Sequence, residues 1–276
     1  MQGAAPAQAL DHPALALENI SVTFVSEGTA RYTAIREATL TVRPGEFVSV
    51  VGPTGCGKST LLNVAAGLLA PSSGDVRVFG EPLAGLNRKA GYLFQSEALL
   101  PWRTALDNVT VGLEFRGVEA GEAKRRAEDW LQRVGLRGHG HRYPHQLSGG
   151  MRRRVALAQT LILDPQIILM DEPFSALDIQ TRQLMENELL ELWSANRKSV
   201  VFITHDLEEA ISLSDRVVVL SAGPDTHPIG EFSIDLPRPR DVAEIRMTPR
   251  FVRLHTEIWH SMKNEVLKGY EQSQQH

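Results

Sequence analysis

A glycine-rich loop in the sequence has the residue types and spacing of a phosphate-binding site. Residues 52–59 match the pattern G-x-x-x-x-G-K-[ST], between an apolar run that predicts a strand and a segment that predicts a helix. Glycines let successive backbone N–H groups turn toward an anion, and the helix N-terminus adds the positive end of its dipole. We therefore expect the Lys58 ammonium to reach the β- and γ-phosphates of a nucleotide and the Ser59 hydroxyl to ligate Mg²⁺.

The alternative interpretation of this loop is a tight glycine-rich turn that merely precedes a helix. The order strand, loop, helix is the context that a phosphate loop needs, and it favours the nucleotide site. The candidate nucleotide-binding residues are Gly52, Pro53, Thr54, Gly55, Cys56, Gly57, Lys58, Ser59 and Thr60.

Two adjacent acidic residues follow a second apolar run and supply the oxygen ligands that such a site needs. Residues 167–170 are all apolar, and Asp171 and Glu172 come directly after them. Open α/β sheets bind ligands at the carboxyl ends of their strands, so Asp171 suits the Mg²⁺ shell, directly or through a water. Glu172 is placed to orient the attacking water or to accept its proton. Alone, the pair would fit a helix N-cap; beside the phosphate loop, it predicts the second half of a nucleotide site.

A second anion-binding pattern indicates a family. Ser148, Gly149 and Gly150 precede a predicted helix, and the backbone N–H groups of a helix N-terminus bind anions. With the two motifs above, residues 147–151 make the chain resemble the ATP-binding cassette (ABC) ATPases, whose signature is LSGGQ; Met151 stands here in place of the glutamine. In that family the signature contacts the γ-phosphate held by the opposite subunit. The resemblance therefore implies that the three residues complete the partner's site.

The same resemblance implies roles for residues elsewhere in the chain. Gln95 matches the glutamine that senses Mg²⁺ and the attacking water, and His205 matches the switch histidine that contacts the γ-phosphate. Asp178 ends the stretch that resembles the loop crossing the dimer interface. Phe24 matches the aromatic residue that stacks on adenine, although Tyr32 lies close by and either ring could belong to the core.

Apolar runs alternate with helical segments along the chain, which predicts an α/β fold. The runs are continuous, as in strands of a parallel sheet buried on both faces. The resemblance implies a P-loop NTPase core of the ABC ATPase type, with a mainly parallel sheet, an antiparallel β subdomain and an inserted α-helical subdomain. The predicted divisions are a flexible N-terminal tail at 1–14, a nucleotide-binding domain at 15–223 with its helical subdomain at about 96–160, and a C-terminal extension with an amphipathic helix at 224–276.

Composition and charge argue against a nucleic-acid or membrane-spanning function. The chain has 276 residues, is 42% hydrophobic and carries a formal net charge of -4, whereas phosphate backbones require clustered Lys and Arg. The basic run Arg152–Arg154 would suit nucleic acid or anionic lipid, but we interpret it as a solvated helix face. No apolar run approaches the ~20 residues that span a bilayer, residues 1–13 lack a signal-peptide pattern, and Cys56 is the single cysteine. We expect a cytoplasmic protein that meets the membrane through a partner.

The resemblance also implies how the chains assemble. One chain has one phosphate loop and one signature, so two chains are expected to sandwich two molecules of ATP with Mg²⁺, head to tail around a two-fold axis. A homodimer with two active sites is the simplest assembly, because every catalytic motif is intact. ATP would hold the dimer closed, and hydrolysis would open it.

Two regions resemble the importer branch for nitrate, sulfonate and taurine: residues 94–109 and, in the tail, residues 236–241, 248–251 and 258–259. The resemblance implies transmembrane permease subunits, an extracytoplasmic binding protein that delivers a small, usually anionic solute, and a peripheral position on the cytoplasmic face of the inner (cell) membrane. Leu99, Leu100 and Trp102 would form an apolar landing patch for the permease or pack inside the helical subdomain, and both interpretations stay open.

Three other functions share part of this pattern. An ABC ATPase outside transport would tend to have two cassettes or long coiled-coil insertions, and the sequence has neither. A small-molecule kinase would not need the signature or the loop at Asp178. An exporter or lipid-trafficking ATPase shares every catalytic motif, so only the importer resemblance argues against it. No residue of this chain encodes the solute.

Overall fold

The computed structural model describes residues 12–25 and 31–273 of the chain. Most of the predicted N-terminal tail, residues 1–11, lies outside this part. The last residue of the predicted tail (1–14), Ala14, is buried, and its backbone N–H donates to the carbonyl oxygen of Val42 at 2.8 Å. Backbone pairing with the rest of the fold therefore begins by Ala14.

The described residues form strands β1 to β10 and α-helices α1 to α8. The strands are β1 Leu15–Val25, β2 Arg31–Val42, β3 Phe47–Val51, β4 Ser73–Val78, β5 Glu81–Pro82, β6 Ala90–Leu93, β7 Ile167–Asp171, β8 Ser199–Ile203, β9 Arg216–Leu220 and β10 Pro228–Ser233. The α-helices are α1 Lys58–Ala65, α2 Ala105–Phe115, α3 Ala120–Arg133, α4 Gly149–Leu161, α5 Ile179–Ala195, α6 Leu207–Leu213, α7 Val242–Ile245 and α8 Pro249–Ser273, with a short 3₁₀ turn at Pro144–Gln146.

The larger sheet is mainly parallel and forms the centre of the fold. Its strand order is β10-β9-β3-β8-β7-β6, and all of its pairs are parallel except β10–β9. Every residue of β3, β7 and β8 is buried. Burial on both faces accounts for their continuous apolar sequences, and the predicted α/β fold is confirmed.

The two predicted additions to this core are also present. An antiparallel sheet in the order β2-β1-β4-β5 shares one hydrophobic cluster with α1 and β3. Helices α2, α3 and α4 are inserted between β6 and β7, and they bury a cluster of their own that includes Val109, Leu131 and Val155. The insertion therefore has an independent core and borders the sheet at β6.

Three strands end at the same edge of the larger sheet and bring the motif residues together there. β3 ends at Val51, directly before the phosphate loop, while β7 ends at Asp171 and β8 ends at Ile203, two residues before His205. Parallel strands have their carboxyl ends on one side of a sheet. The register aligns Ile203 with both Val50 and Asp171, so the loop and the acidic pair start from the same level.

The C-terminal segment extends the larger sheet and packs a helix beside it. The buried face of α8 consists of Phe251, Leu254, Ile258 and Met262, and it shares a hydrophobic cluster with α6 and β9. These four residues have the helical spacing that predicts an amphipathic helix. No helix that the structure describes, α8 included, is both long enough and apolar enough to cross a membrane.

A buried arginine ties this segment to α6. The Arg240 guanidinium donates to carbonyl oxygens at the end of α6 and after β10, namely those of Ile211, Ser212, Ser214, Ile234 and Leu236. Burial, followed by the nearby Arg238 guanidinium, lowers the pKa of Arg240 to about 10. The carbonyl oxygens around the C-terminus of α6 favour a cation, so they offset part of the cost of burying this charge.

We expect Arg240→Met to lower the free energy of unfolding by about 3 kcal/mol, because several buried carbonyl groups lose their donor. Equilibrium denaturation of purified protein measures this loss. Arg253→Met changes an exposed arginine of α8 and is the matched control, whose unfolding midpoint should equal that of the wild type. Equal stability of the two variants would contradict the assignment.

Candidate functional site

The phosphate loop joins β3 to α1 and is closed by the side chain of Lys58. Gly57, the N-cap of α1, has a φ of 102°, a conformation that residues with a side chain rarely adopt. Lys58 is only 5% exposed, and its ammonium donates to the carbonyl oxygens of Gly52 and Pro53, both at 2.9 Å. An ammonium has three N–H donors. Two of them bind the loop itself, which leaves one for a phosphate oxygen.

Ser59 and Asp171 meet at the carboxyl end of β7. The Ser59 hydroxyl donates to Asp171 Oδ1 at 3.0 Å. Burial raises the pKa of the Asp171 carboxyl, and the hydrogen bond from Ser59 opposes that rise. Among the described residues there is no cluster of three or more His, Cys, Asp or Glu side chains that would hold a metal ion unaided. Mg²⁺ fits this donor set, because one or two hard oxygens usually bind it together with phosphate and water.

Glu172 follows β7 directly and lies between Gln95 and His205. Its φ of 42° is in the left-handed region, which is costly for a residue other than glycine and recurs at functional sites. The backbone N–H of Glu172 donates to the carbonyl oxygen of Ile203 at 2.9 Å, which holds this conformation against β8. The carboxylate accepts from Gln95 Nε2 at 3.5 Å and is 3.1 Å from His205 Nδ1. Of the three side chains that the sequence predicts to be catalytic, Gln95 and His205 therefore both contact the carboxylate of the third, Glu172.

A cavity of about 440 Å³ joins the phosphate loop to these side chains. This volume is typical of a small-molecule site. Three residues of the predicted nucleotide-binding set, Gly52, Pro53 and Cys56, are instead buried behind the loop, and burial raises the pKa of the Cys56 thiol. The cavity is lined by Thr54, Gly55, Gly57, Lys58, Ser59, Thr60, Gln95, Glu172 and His205.

The signature residues do not line that cavity. They lie next to Asp178, the other residue predicted at the dimer interface. Ser148 is exposed and caps α4, where its hydroxyl accepts the Met151 N–H at 3.3 Å. Asp178 caps α5 and accepts the Thr181 N–H at 3.0 Å. A side chain at Gly150 would come within 3.0 Å of Thr181 Cγ2. The N-termini of α4 and α5 thus meet, and they carry the residues predicted to contact the ATP of a partner.

The two candidates for adenine stacking are neighbours on adjacent strands of the antiparallel sheet. Phe24 on β1 pairs directly with Tyr32 on β2, and both rings are about half exposed. Neither ring lines the cavity. A side chain at Gly223 would lie 3.5 Å from the Tyr32 hydroxyl and 3.7 Å from Cys56 Cα. Tyr32 is therefore near a segment that packs behind the phosphate loop, and adenine stacking by either residue stays a prediction.

The interpretation of Arg152–Arg154 as a solvated helix face is wrong for its central member. Arg153 is 2% exposed, and its guanidinium donates to the backbone carbonyl oxygens of Phe94 and Gln95. Arg154 is partly buried and forms an ion pair with α5. Buried apolar residues lie three and four positions after Arg153 on α4, so helical periodicity could have placed it on the inner face.

The apolar residues after Gln95 are predicted either to form a landing patch or to pack inside the helical subdomain, and two of them differ in this respect. Leu99 packs against the hydrophobic clusters of the sheet and of the helical insertion, as an interior residue would. Trp102 is 72% exposed. Nearby, a groove of about 290 Å³ runs between β6, α2 and α4. Leu99 therefore belongs to the core, and Trp102 supplies an exposed apolar surface on the helical insertion.

Comparison with known families agrees with this geometry. Residues 35–175, which include both halves of the nucleotide site and the signature, match the family model described as ABC transporter. The chain belongs to the ABC transporter family. This ABC protein is an ATP hydrolase that uses ATP with Mg²⁺.

Relatives of this ABC ATPase include proteins of known import systems. An uncharacterized ABC transporter ATP-binding protein of Methanocaldococcus jannaschii is 47% identical over 92% of this chain and 93% of its own length. A taurine import ATP-binding protein of Pelagibacter ubique is 38% identical over 91% of this chain and 96% of its own. A nitrate import ATP-binding protein of Synechococcus elongatus is 41% identical over 82% and 83%, respectively. These relatives confirm the predicted resemblance to the importer branch.

A solved structure supports the fold as well. It is a dimeric ATP-binding cassette in a post-hydrolysis state, bound to ADP and Pi, and it aligns with a TM-score of 0.72 at 33% identity. The alignment covers 81% of this chain and all of the solved chain. The predicted P-loop NTPase core is therefore confirmed.

We expect Lys58→Ala to lower the rate of ATP hydrolysis at least about 100-fold, because the phosphates lose a buried, charge-assisted donor. Phosphate release at saturating ATP and Mg²⁺ measures the rate. Lys263→Ala removes an exposed lysine of α8 and should retain the wild-type rate. Unchanged turnover in Lys58→Ala would contradict the site assignment.

Proposed function

We propose that this ABC ATPase energises the import of a small anionic solute, of the nitrate, sulfonate or taurine type, through the ATP-driven closing and opening of a dimer. The observation that carries the proposal is the division of the ATP-contacting residues. One cavity unites Lys58, Glu172 and His205 but has no signature residue in its lining. A second chain must then supply the signature.

Lys58 and the N-terminus of α1 bind the phosphates of ATP. The ammonium keeps its two hydrogen bonds to loop carbonyls and donates its third N–H to the phosphates, so that a buried positive charge gains an anionic partner. Ser59, Asp171 and Gln95 would hold Mg²⁺, which neutralises negative charge on the β- and γ-phosphates. The hydrogen bond between Ser59 and Asp171 orients both oxygens before the nucleotide binds.

Glu172 activates the water that attacks the γ-phosphorus. Its carboxylate orients the water and accepts a proton as the new P–O bond forms and the bond to the leaving ADP oxygen breaks. Gln95 and His205 restrict that carboxylate from two sides. His205, whose side chain is half exposed, is also in place to contact the γ-phosphate in the closed dimer.

In the closed dimer, each ATP lies between the two chains. Ser148, Gly149 and Gly150 of one chain contact the γ-phosphate that Lys58 of the other chain holds, and Asp178 lies beside them. A helix N-terminus stabilises an anion through its free N–H groups. ATP thus joins the chains, and loss of the γ-phosphate after hydrolysis removes the contact and opens the dimer. The dimeric state of the related cassette supports this assembly.

The partners follow from the relatives and from one exposed surface. Related proteins named for taurine and nitrate import support a complex with transmembrane permease subunits and, indirectly, an extracytoplasmic solute-binding protein. The ATPase would sit on the cytoplasmic face of the inner (cell) membrane, held by the permease. Trp102 lies after Gln95 and is the most exposed tryptophan of the described residues. An exposed aromatic side chain on the insertion suits an apolar permease segment.

We expect Glu172→Gln to form a stable dimer in ATP, because the site still binds ATP but no longer has a base for the water. Size-exclusion chromatography with light scattering measures the mass with and without ATP. The double variant Glu172→Gln, Lys58→Ala should stay monomeric and serves as the control. A Glu172→Gln chain that remains a monomer at saturating ATP would refute the dimer mechanism.

The import role is tested by what the protein binds in its own cells. Tagged Glu172→Gln, purified in mild detergent with ATP, should recover a multi-spanning permease, and adding Trp102→Ala should lower that recovery about tenfold. Met247→Ala changes a residue that is 80% exposed in the C-terminal segment and should recover as much permease as the parent. Recovery of soluble or nucleic-acid-bound proteins alone would overturn the importer assignment.

A further inference from the structure

Arg153 connects the signature helix to the segment that carries Gln95. It lies five residues after Ser148, about 7.5 Å farther along α4. Its Nη1 donates to the carbonyl oxygen of Phe94 at 2.8 Å, and its Nη2 donates to the carbonyl oxygen of Gln95. One guanidinium therefore bridges two elements that are 58 and 59 residues apart in the chain.

These two bonds fix a geometry as well as a distance. A buried guanidinium is costly unless its donors are satisfied, and burial lowers the pKa of Arg153. Its planar fork presents both N–H groups at fixed angles, which a lysine cannot do. The backbone at Gln95 is consequently held in one orientation relative to α4.

A second arginine of the same helix binds the same segment. Arg152 Nε lies 3.5 Å from Glu97 Oε1, and both side chains are about one-third exposed. Such a pair contributes little stability by itself. Together with the bonds of Arg153, it means that residues 94–97 are attached to α4 at three points.

We propose that Arg153 is a positioning residue that couples the two ATP sites of the dimer. The inference rests on the proposed function, in which Ser148 contacts the ATP held by the partner. At the other end of the link, the side chain of Gln95 reaches Glu172 with a hydrogen bond of 3.5 Å, the outer limit of such a contact. When α4 docks on the partner's γ-phosphate, Arg153 moves Gln95 with it, and a shift of a few tenths of an ångström makes or breaks the bond to Glu172. Each site thereby responds to ATP in the other.

The direct test is the ATP dependence of hydrolysis in Arg153→Gln. The wild type should show a Hill coefficient clearly above 1 and at most about 2, since the dimer has two sites. Arg153→Gln should lower it to about 1, because glutamine is too short to bond both carbonyl oxygens, while the affinity of the isolated monomer for ATP stays within about twofold. A loss of cooperativity without a loss of monomer affinity separates positioning from simple structural damage.

The neighbouring arginine provides a matched control. Arg154→Gln removes a partly buried arginine of the same helix whose ion pair goes to Glu188 on α5, and it should keep the wild-type Hill coefficient. If Arg153→Gln fails to fold, Arg153→Lys keeps the positive charge but lacks the planar fork that bonds both carbonyl oxygens, and it should also lower the coefficient. A Hill coefficient of 1 in the wild-type protein would overturn the inference. So would a folded Arg153 variant whose coefficient equals that of the wild type. Failure of Glu172→Gln to dimerise with ATP would instead overturn the proposed function.

Discussion

The site depends on how the fold accommodates the buried positive charge of Lys58. Burying the ammonium of Lys58, a residue that is 5% exposed, is costly, and the position of Lys58 at the N-terminus of α1 places this charge at the positive end of a helix dipole. Two loop carbonyl oxygens accept hydrogen bonds from two of the three N–H groups of the ammonium. The neighbouring Asp171 carboxylate and the phosphates of ATP supply the opposite charge that these groups cannot. β3, buried on both faces, holds the loop rigidly enough for this arrangement to persist.

The parallel sheet explains why so few residues suffice for the remaining chemistry. Because β3, β7 and β8 end at one edge, the phosphate loop, Glu172 and His205 meet without any long connecting segment. The groups at the N-termini of α4 and α5 lie outside this cavity, so in the proposed dimer one chain would supply two different half-sites. Within a chain, the two bonds of Arg153 join α4 to the segment that carries Gln95. In the proposed dimer, the same helix that reads the partner's ATP therefore orients Gln95 at its own.

Features encoded by neighbouring residues could be predicted from the sequence, and those that depend on distant contacts could not. The phosphate loop and the buried strands are local patterns of spacing and apolar composition, and the structure contains them. Helical periodicity could have placed Arg153 on the inner face of α4, but its partners are backbone carbonyls about 60 residues away, which no side-chain pattern indicates. The Arg240 guanidinium likewise donates to backbone carbonyl oxygens at the end of α6, which are 26 to 29 residues away. No side-chain pattern indicates these contacts either. Spacing in the sequence also could not distinguish Leu99 from Trp102, although packing partly buries Leu99 and leaves Trp102 exposed.

The central claim is that each ATP site takes residues from two chains, and mixing two inactive variants tests it most directly. Lys58→Ala lacks a working phosphate loop, and Ser148→Arg lacks a working signature. A mixed dimer would combine the intact loop of one chain with the intact signature of the other. In an equal mixture about half of the dimers are mixed and each has one complete site, so we predict hydrolysis above that of either variant alone and at most about a quarter of the wild-type rate, the value for two independent sites. A mixture no more active than the two variants measured separately would contradict the account.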